Sequence, residues 1–178
     1  MRSFLVILFT CWASAMPAQE AIKEEVTPNW DMFTITLANK TNEILVRTSA
    51  VNFQCPGFTV IMPTLSISCV LSVKELRFSI LPACSPNYDI YDMLHVEFRT
   101  DEEPSKIRTI RGKDVGVKGI PIKFRGNEAF EIISGLADTN VLEVGYMLVD
   151  EGASSARITF NVDQIEEVTK PVVEACGY

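Results

Sequence analysis

V-L-E-V-G-Y-M-L-V-D-E-G (Val141–Gly152), S-A-R-I-T-F-N-V (Ser155–Val162) and D-Q-I-E-E-V-T-K-P-V-V-E-A-C-G-Y (Asp163–Tyr178) close the chain. Leu142, Val144, Tyr146 and Leu148 recur at period two, which predicts a strand with one buried face. Asp150-Glu151-Gly152 reads as a turn. Ala156, Ile158, Phe160 and Val162 then share the inner face of a second strand. Asp163 followed by Glu166 has the spacing of a capping box. Behind it Ile165, Val168, Val172 and Cys176 fall at three- and four-residue spacing, the stripe of an amphipathic helix. Lys170-Pro171 predicts a kink or a restart within that helix. A cysteine ending the stripe can pin the helix to the sheet.

The same period-two pattern runs backwards through the chain. Leu65, Ile67, Cys69 and Leu71 alternate with Ser66, Ser68, Val70 and Ser72, so Cys69 faces inward with the aliphatic side chains. Leu76, Phe78 and Ile80 follow after a turn at Val73-Lys74. Leu94, Val96 and Phe98 face inward in a further strand, with His95, Glu97 and Arg99 outward. Nearer the start, Trp30 opens a strand in which Phe33, Ile35 and Leu37 alternate with Thr34, Thr36 and Ala38. Asn39-Lys40-Thr41-Asn42 reads as a turn and also fits an N-glycosylation acceptor. Ile44, Val46 and Thr48 mark its partner strand. Val51 to Pro63 reads as a loop containing Cys55 and a short apolar strand, Phe58 to Met62. Leu81 to Tyr91 reads as irregular, carrying Cys84 between two prolines. Two or three short strands are expected in 107–124. A short helix over Glu128–Ser134 is expected to be capped by Asn127 and stopped by Gly135. This predicts an antiparallel β-sandwich or partly closed barrel of about eight to ten strands, with a short helix and a C-terminal helix on the sheet.

Met1-Arg2, the apolar run Ser3–Trp12 and Ala13-Ser14-Ala15 form a secretory signal pattern, cleaved after Ala15 or after Ala18. The run is too short for a membrane span, so no stable membrane anchor is expected after cleavage. Residues 16–29 read as a flexible, solvated lead-in, and 30–178 as one β-rich domain. A chain of 178 residues is long enough for one well-buried core. The formal charge is −7; loss of Arg2 with the leader leaves 15 Lys+Arg against 23 Asp+Glu. An acidic domain without a basic stripe repels phosphate backbones and anionic lipid, so nucleic-acid binding is not expected.

Of the five cysteines, Cys11 leaves with the leader. Cys55, Cys69, Cys84 and Cys176 remain, an even set that in an exported domain reads as two disulfides, with three pairings open. No close ligand pair such as C-x-x-C occurs, so no metal and no cofactor are expected. His95 is the single histidine. Its outward strand position and the lack of a nucleophile motif leave it an ordinary surface residue. Tyr88, Asp89, Tyr91 and Asp92 lie in the proline-flanked loop. They lack the spaced oxygens of a calcium loop and are candidate partner contacts. Arg108, Arg111, Lys113, Lys118, Lys123 and Arg125 make 106–125 locally basic, which fits solvent-facing edge strands or a patch for an acidic partner. Glu102-Glu103 and Glu166-Glu167 are adjacent pairs that do not converge on one substrate.

Several segments resemble the VasI family of type VI secretion-associated periplasmic proteins. They are Pro63-Thr64-Leu65-Ser66-Ile67-Ser68-Cys69, Val96-Glu97-Phe98-Arg99-Thr100-Asp101, Ala129-Phe130 through Leu136, and Thr159-Phe160-Asn161-Val162 with Ala175-Cys176. The architecture is also similar to the invasion-associated locus B family. The resemblance spans about residues 30–178 and rests on order and spacing. It implies this fold, a periplasmic or secreted location, and a Cys69–Cys176 bridge, which leaves Cys55 for Cys84. The expectation is therefore a non-enzymatic exported domain acting by protein–protein contact, an accessory of the envelope or of a secretion system. A small-ligand or lipid carrier with an apolar cavity is the alternative, and a hydrolase a weaker one.

Overall fold

The structure, a computed structural model, describes residues 20–37, 40–54, 62–81, 93–101, 106–111, 122–148 and 156–178. The expected signal peptide, Cys55, Cys84 and the loop of Tyr88, Asp89, Tyr91 and Asp92 lie outside these residues, as do Asn39 and the turn at Asp150-Glu151-Gly152.

In chain order the strands are β1 (Glu20–Thr27), β2 (Trp30–Leu37), β3 (Lys40–Gln54), β4 (Thr64–Val70), β5 (Glu75–Leu81), β6 (Met93–Thr100), β7 (Lys106–Arg111) and β8 (Ile122–Arg125). Helix α1 (Gly126–Ser134), β9 (Val141–Leu148), β10 (Ala156–Asn161) and helix α2 (Ile165–Cys176) complete them. The strands form one antiparallel sheet in the order β7-β6-β9-β10-β3-β4-β5-β8, with β2 also on β3 and β1 on β2. The sheet curls into a half-barrel, as the alternation predicts, and the two helices pack on it.

β3 makes the curl. Its first part pairs with β2 on one edge (Asp31↔Arg47) and with β4 on the other (Val46↔Ile67). Ala50 donates its N–H to Pro63 O at 2.9 Å on the β4 edge, so β10 takes the edge that β2 leaves. The register breaks there, with Phe160↔Ala50 followed by Thr159↔Asn52, which leaves Val51 as an extra residue. Such a bulge bends a strand and swaps its faces. Ile44, Val46, Thr48 and Ala50 face inward before it, and Phe53, opposite Ile158, does so after it. The expected loop beginning at Val51 is therefore strand as far as Gln54.

The inner face carries the core. Val46, Leu65, Ile67, Cys69, Leu76, Phe78, Ile80 and Ile122 from one flank meet Val96, Leu142, Val144, Ile158 and Phe160 from the other, all fully buried. Phe78, Phe98 and Phe124 close the middle with ring centroids 5.6 to 6.2 Å apart, a spacing at which tilted aromatic pairs attract beyond their area burial. α2 presses Ile165, Val168 and Val172 onto β3 and β4. Each of these side chains contributes roughly 1.5–3 kcal/mol by leaving water.

Several local expectations are corrected. Glu20–Thr27, within the expected flexible lead-in, is the edge strand β1, paired with β2 from Glu20↔Thr36 onward. Its E-A-I-K-E-E-V-T sequence shows no alternation because Ile22, Lys23, Glu24 and Val26 are exposed; backbone pairing and Lys23–Asp31 at 2.9 Å hold it. In β2 the inner face is Trp30 and Met32, so Phe33 turns outward under the Arg47 guanidinium, 4.6 Å from its ring centroid. The buried Trp30 sets that parity against the apolar run. Of the turn expected over Asn39–Asn42, residues 40–42 belong to β3, which pairs with β2 from Lys40 and absorbs Asn42 as a bulge.

The helices also begin differently. The N-cap of α1 is Arg125, with no side-chain cap, and Asn127 sits inside the helix; Gly135 stops it as expected, donating to Glu131 O at 3.0 Å. The Asp163/Glu166 capping box does not form. Gln164, left-handed at φ 63°, precedes α2 instead, and the Asp163 N–H is taken by Asn161 Oδ1 at 3.0 Å. Pro171 neither breaks nor restarts α2, which runs unbroken from Ile165 to Cys176. The ring is exposed, so it costs one hydrogen bond on the wet side while the buried stripe holds both halves.

Candidate functional site

Cys69 and Cys176 are joined, with Cα atoms 5.6 Å apart and a sequence separation of 107. Cys69 is on the inner face of β4 and Cys176 ends the buried stripe of α2, so the bridge clamps the last turn of the helix to the sheet. A formed disulfide of this kind marks an oxidising, extracytoplasmic environment. Among the described residues no helix is long and apolar enough to cross a membrane.

The clamp positions the groove that is the candidate site. Gly177, at φ 86°, turns the chain back on α2: its N–H donates to Glu174 O at 3.0 Å and that of Tyr178 to Val173 O at 3.3 Å. This pair of bonds is a Schellman motif, and glycine is the residue that takes its left-handed position without strain. The turn throws the Tyr178 ring across to α1, where it stacks on Phe130 with centroids 5.1 Å apart and planes at 26°. Its hydroxyl reaches the first residue of α1, 3.5 Å from where a Cβ on Gly126 would stand.

Between α1 and α2 the result is an open groove of about 500 Å³. Its apolar wall is Phe130, Ile133, Ala137, Val173 and Tyr178, and its rim includes Glu166, Lys170 and Glu174. Phe130 is 36% and Tyr178 40% exposed, unusual for rings this large in a chain whose other described phenylalanines are buried or half-buried. Lys170 Nζ lies 4.0 Å from Glu174 Oε1, one helical turn away.

Among the described residues, the other polar side chains form contacts within the sheet. On the outer face of β6, β9 and β10, Arg157 donates to Glu143 at 2.7 Å, Arg99 to Glu97 at 3.1 Å, and Arg99 also approaches Glu143 at 3.7 Å. His95 shares that outer face by strand parity, half-buried, in register with Thr109 and Met147. Asp101 accepts the backbone N–H and side-chain amide of Asn140, both at 3.3 Å, and so ties the end of β6 to the start of β9. Partial desolvation raises the Asp101 carboxyl. Hydrogen bonds from its own backbone, from the Asn140 side chain and from the Val141 and Asn140 backbones outweigh this and hold it below the usual value. Among the described residues no group of His, Cys, Asp or Glu could hold a metal ion.

Comparison with protein-family models, with curated proteins and with solved structures finds no match.

Of the residues expected to matter from sequence, the structure brings Cys69 and Cys176 together. Cys55, Cys84, Tyr88, Asp89, Tyr91 and Asp92 lie outside the described residues. From the basic stretch, Lys123 is half-buried opposite Ser79, and Arg125 is exposed beside Glu75 at 3.7 Å. Nearly all residues that carry the family resemblance are structural: Leu65, Ile67, Phe98, Ala129, Leu136, Phe160 and Val162 are buried, and Arg99 and Asp101 are held by ion pairs and hydrogen bonds. Phe130 is the exception. The Phe130–Tyr178 pair was invisible to periodicity, although Gly177 directly behind the last periodic residue signals the reversal that creates it.

Proposed function

We propose that this protein is an exported, disulfide-stabilised, non-enzymatic domain that acts by protein–protein contact through the α1–α2 groove. One observation carries the reading. The inside of the half-barrel is occupied by its own aromatic and aliphatic side chains, while two large rings are held out to solvent in a groove at its end. A carrier needs an apolar cavity, and among the described residues Phe78, Phe98 and Phe124 pack against one another between the flanks of the sheet, which favours the contact reading. A contact module needs exposed aromatic anchors on a rigid support. Here the support is two helices fastened to the sheet by a covalent bridge. The family resemblance fits the same reading, as an accessory of the cell envelope or of a secretion system, in the periplasm or secreted.

The test is a photo-crosslinking phenylalanine analogue at position 130, and for comparison at Val51, with the protein expressed in its native host. A discrete protein adduct at 130 and none at 51 is expected. Absence of any adduct at 130, together with a co-purifying lipid detected by native mass spectrometry, would replace this reading with that of a carrier.

A further inference from the structure

The edge of β3 that β2 and β10 share has a notch in it. Pairing with β2 ends at Asp31↔Arg47, and pairing with β10 begins at Phe160↔Ala50. Among the described residues, neither strand puts a residue opposite Thr48 or Ser49 on this edge. The main-chain groups of successive residues point to opposite edges of a strand. The Ala50 N–H donates to Pro63 O at 2.9 Å on the β4 edge, so the N–H and carbonyl of Ser49 point into the notch. The Ser49 carbonyl accepts the Thr48 hydroxyl at 3.4 Å. The Ser49 N–H is left as a main-chain donor with no strand to serve.

The notch opens into a cavity of about 400 Å³, lined among others by Pro28, Asn29, Asp31, Arg47, Ser49 and Val51. Two charges stand on its rim, in register on neighbouring strands, and each is held elsewhere. Asp31 is turned to Lys23 on β1, 2.9 Å away. The Arg47 guanidinium lies 4.6 Å from the centroid of the Phe33 ring. A ring contact orients a guanidinium without a carboxylate to fill its fork. The rim therefore offers that fork, the Ser49 N–H and the Ser49 hydroxyl, a donor set for one planar, singly charged acceptor. Asp31 beside them penalises a second negative charge, which tells against a phosphate dianion. Pro28 and Val51, the latter 64% exposed, give the rest of a ligand an apolar side to lie on.

We infer that this notch binds the carboxylate of a small organic acid, with its oxygens on Arg47 and the Ser49 N–H and a short apolar tail against Pro28 and Val51. The site shares no lining residue with the α1–α2 groove, so the contact reading above does not depend on it.

The probe is butyrate, titrated into isotope-labelled protein. Butyramide and inorganic phosphate are the controls, at equal ionic strength and at a mildly alkaline pH where phosphate is a dianion. Butyrate is expected to give saturable shifts at the Ser49 amide and at the Arg47 side-chain Nε–H. Butyramide is expected to give none, and phosphate to bind more weakly than butyrate. Arg47→Gln, at an exposed position, is expected to weaken butyrate about tenfold. Arg47→Lys keeps the charge but loses the fork, and is expected to weaken it as well. Ser49→Ala keeps the main-chain donor and is expected to weaken it by less. Equal responses to butyrate and butyramide, shifts centred elsewhere, or indifference to Arg47→Gln would overturn the site. A short peptide that binds more tightly than butyrate, and loses that advantage when its C-terminus is amidated, would assign the carboxylate to a chain terminus and overturn the small-acid reading.

Discussion

The Trp30 indole N–H donates to the main-chain carbonyl of Asp163 at 3.1 Å, across 133 residues of sequence. Trp30 opens β2, and Asp163 lies between β10 and α2. The bond therefore sits where β2 gives way to β10 along the edge of β3, and it joins the first core residue of the chain to the start of the last helix. The indole is 1% exposed, so its N–H has no water as a substitute partner, whereas Asp163 is an exposed residue.

Trp30→Phe keeps most of the packing and removes the donor. It is expected to cost about 0.5–1.5 kcal/mol, the net contribution of one hydrogen bond. Trp30→Ala adds a cavity and is expected to cost about 3–5 kcal/mol. Urea unfolding followed by circular dichroism measures both. A Trp30→Phe variant as stable as the parent would show that the bond contributes nothing.

The Cys69–Cys176 bridge closes a loop of more than a hundred residues. Loop-closure entropy puts its contribution at about 4–5 kcal/mol, with losses of about 2–5 kcal/mol usual when such a bridge is removed. Cys69→Ser with Cys176→Ser is expected to lower the urea midpoint accordingly. It is also expected to loosen α2 first, seen as faster amide exchange at Val172 to Cys176 than in β4. Uniform exchange along the chain would contradict a clamp that acts on the helix.

Lys74 occupies a left-handed position at φ 53° in the β4–β5 turn while its amine serves the Ala175 carbonyl near the end of α2. Two substitutions separate these roles. Lys74→Ala keeps the backbone strain and loses the contact, at an expected cost of about 0.3–1 kcal/mol. Lys74→Gly loses the contact and relieves about 1 kcal/mol of strain, so it is expected to be near neutral. Thermal unfolding that ranks Lys74→Gly below Lys74→Ala would refute this assignment.

Gly177 stands at φ 86°, with open space around the position of a Cβ, so Gly177→Ala is penalised by backbone strain and not by a clash. The expected loss is about 1–2 kcal/mol. Because the turn delivers Tyr178 to Phe130, Gly177→Ala is expected to lose much of the near-ultraviolet circular dichroism of Tyr178, the contribution that a Tyr178→Phe control defines by removing it. An unchanged spectrum would show that the stack does not depend on the turn.

Asp101 has a carboxyl below its ordinary value in the folded chain, so it contributes stability above the unfolded value of 3.8, lost as the pH falls through the folded one. Asp101→Asn is expected to be the less stable protein near neutral pH. The gap is expected to hold constant down to about pH 5 and to close below the unfolded value. Urea midpoints measured from neutral pH into acid check this; a gap independent of pH would assign the effect to something other than the charge.

Much of the fold was legible because strand parity is local. The alternation from Leu65 to Leu71 placed the Cys69 sulfur inward before any partner was known, and the spacing of Ile165, Val168, Val172 and Cys176 placed the other sulfur on the buried face of a helix. Both are buried as expected. β1 was not legible, because an exposed edge strand held by backbone bonds has no apolar rhythm to read. At the candidate site, Phe130 stood in a recognised segment, but nothing in α1 announces that Tyr178 will lie on it.

By itself the sequence determined the types of the elements from β4 onward that carry apolar periodicity, the inward faces of β4, β5, β6, β9 and β10, and the helix stripe that ends on a cysteine, because each depends on residues within a few positions of one another. Only the tertiary structure decided that β3 bends at Val51 to serve both flanks of the half-barrel, that Trp30 seals the junction, and that α1 and α2 meet to hold Phe130 against Tyr178. Those are contacts between segments far apart in the chain. Their partners are selected by which buried surfaces fit together, and period-two or 3.6-residue patterning carries no information about which face meets which.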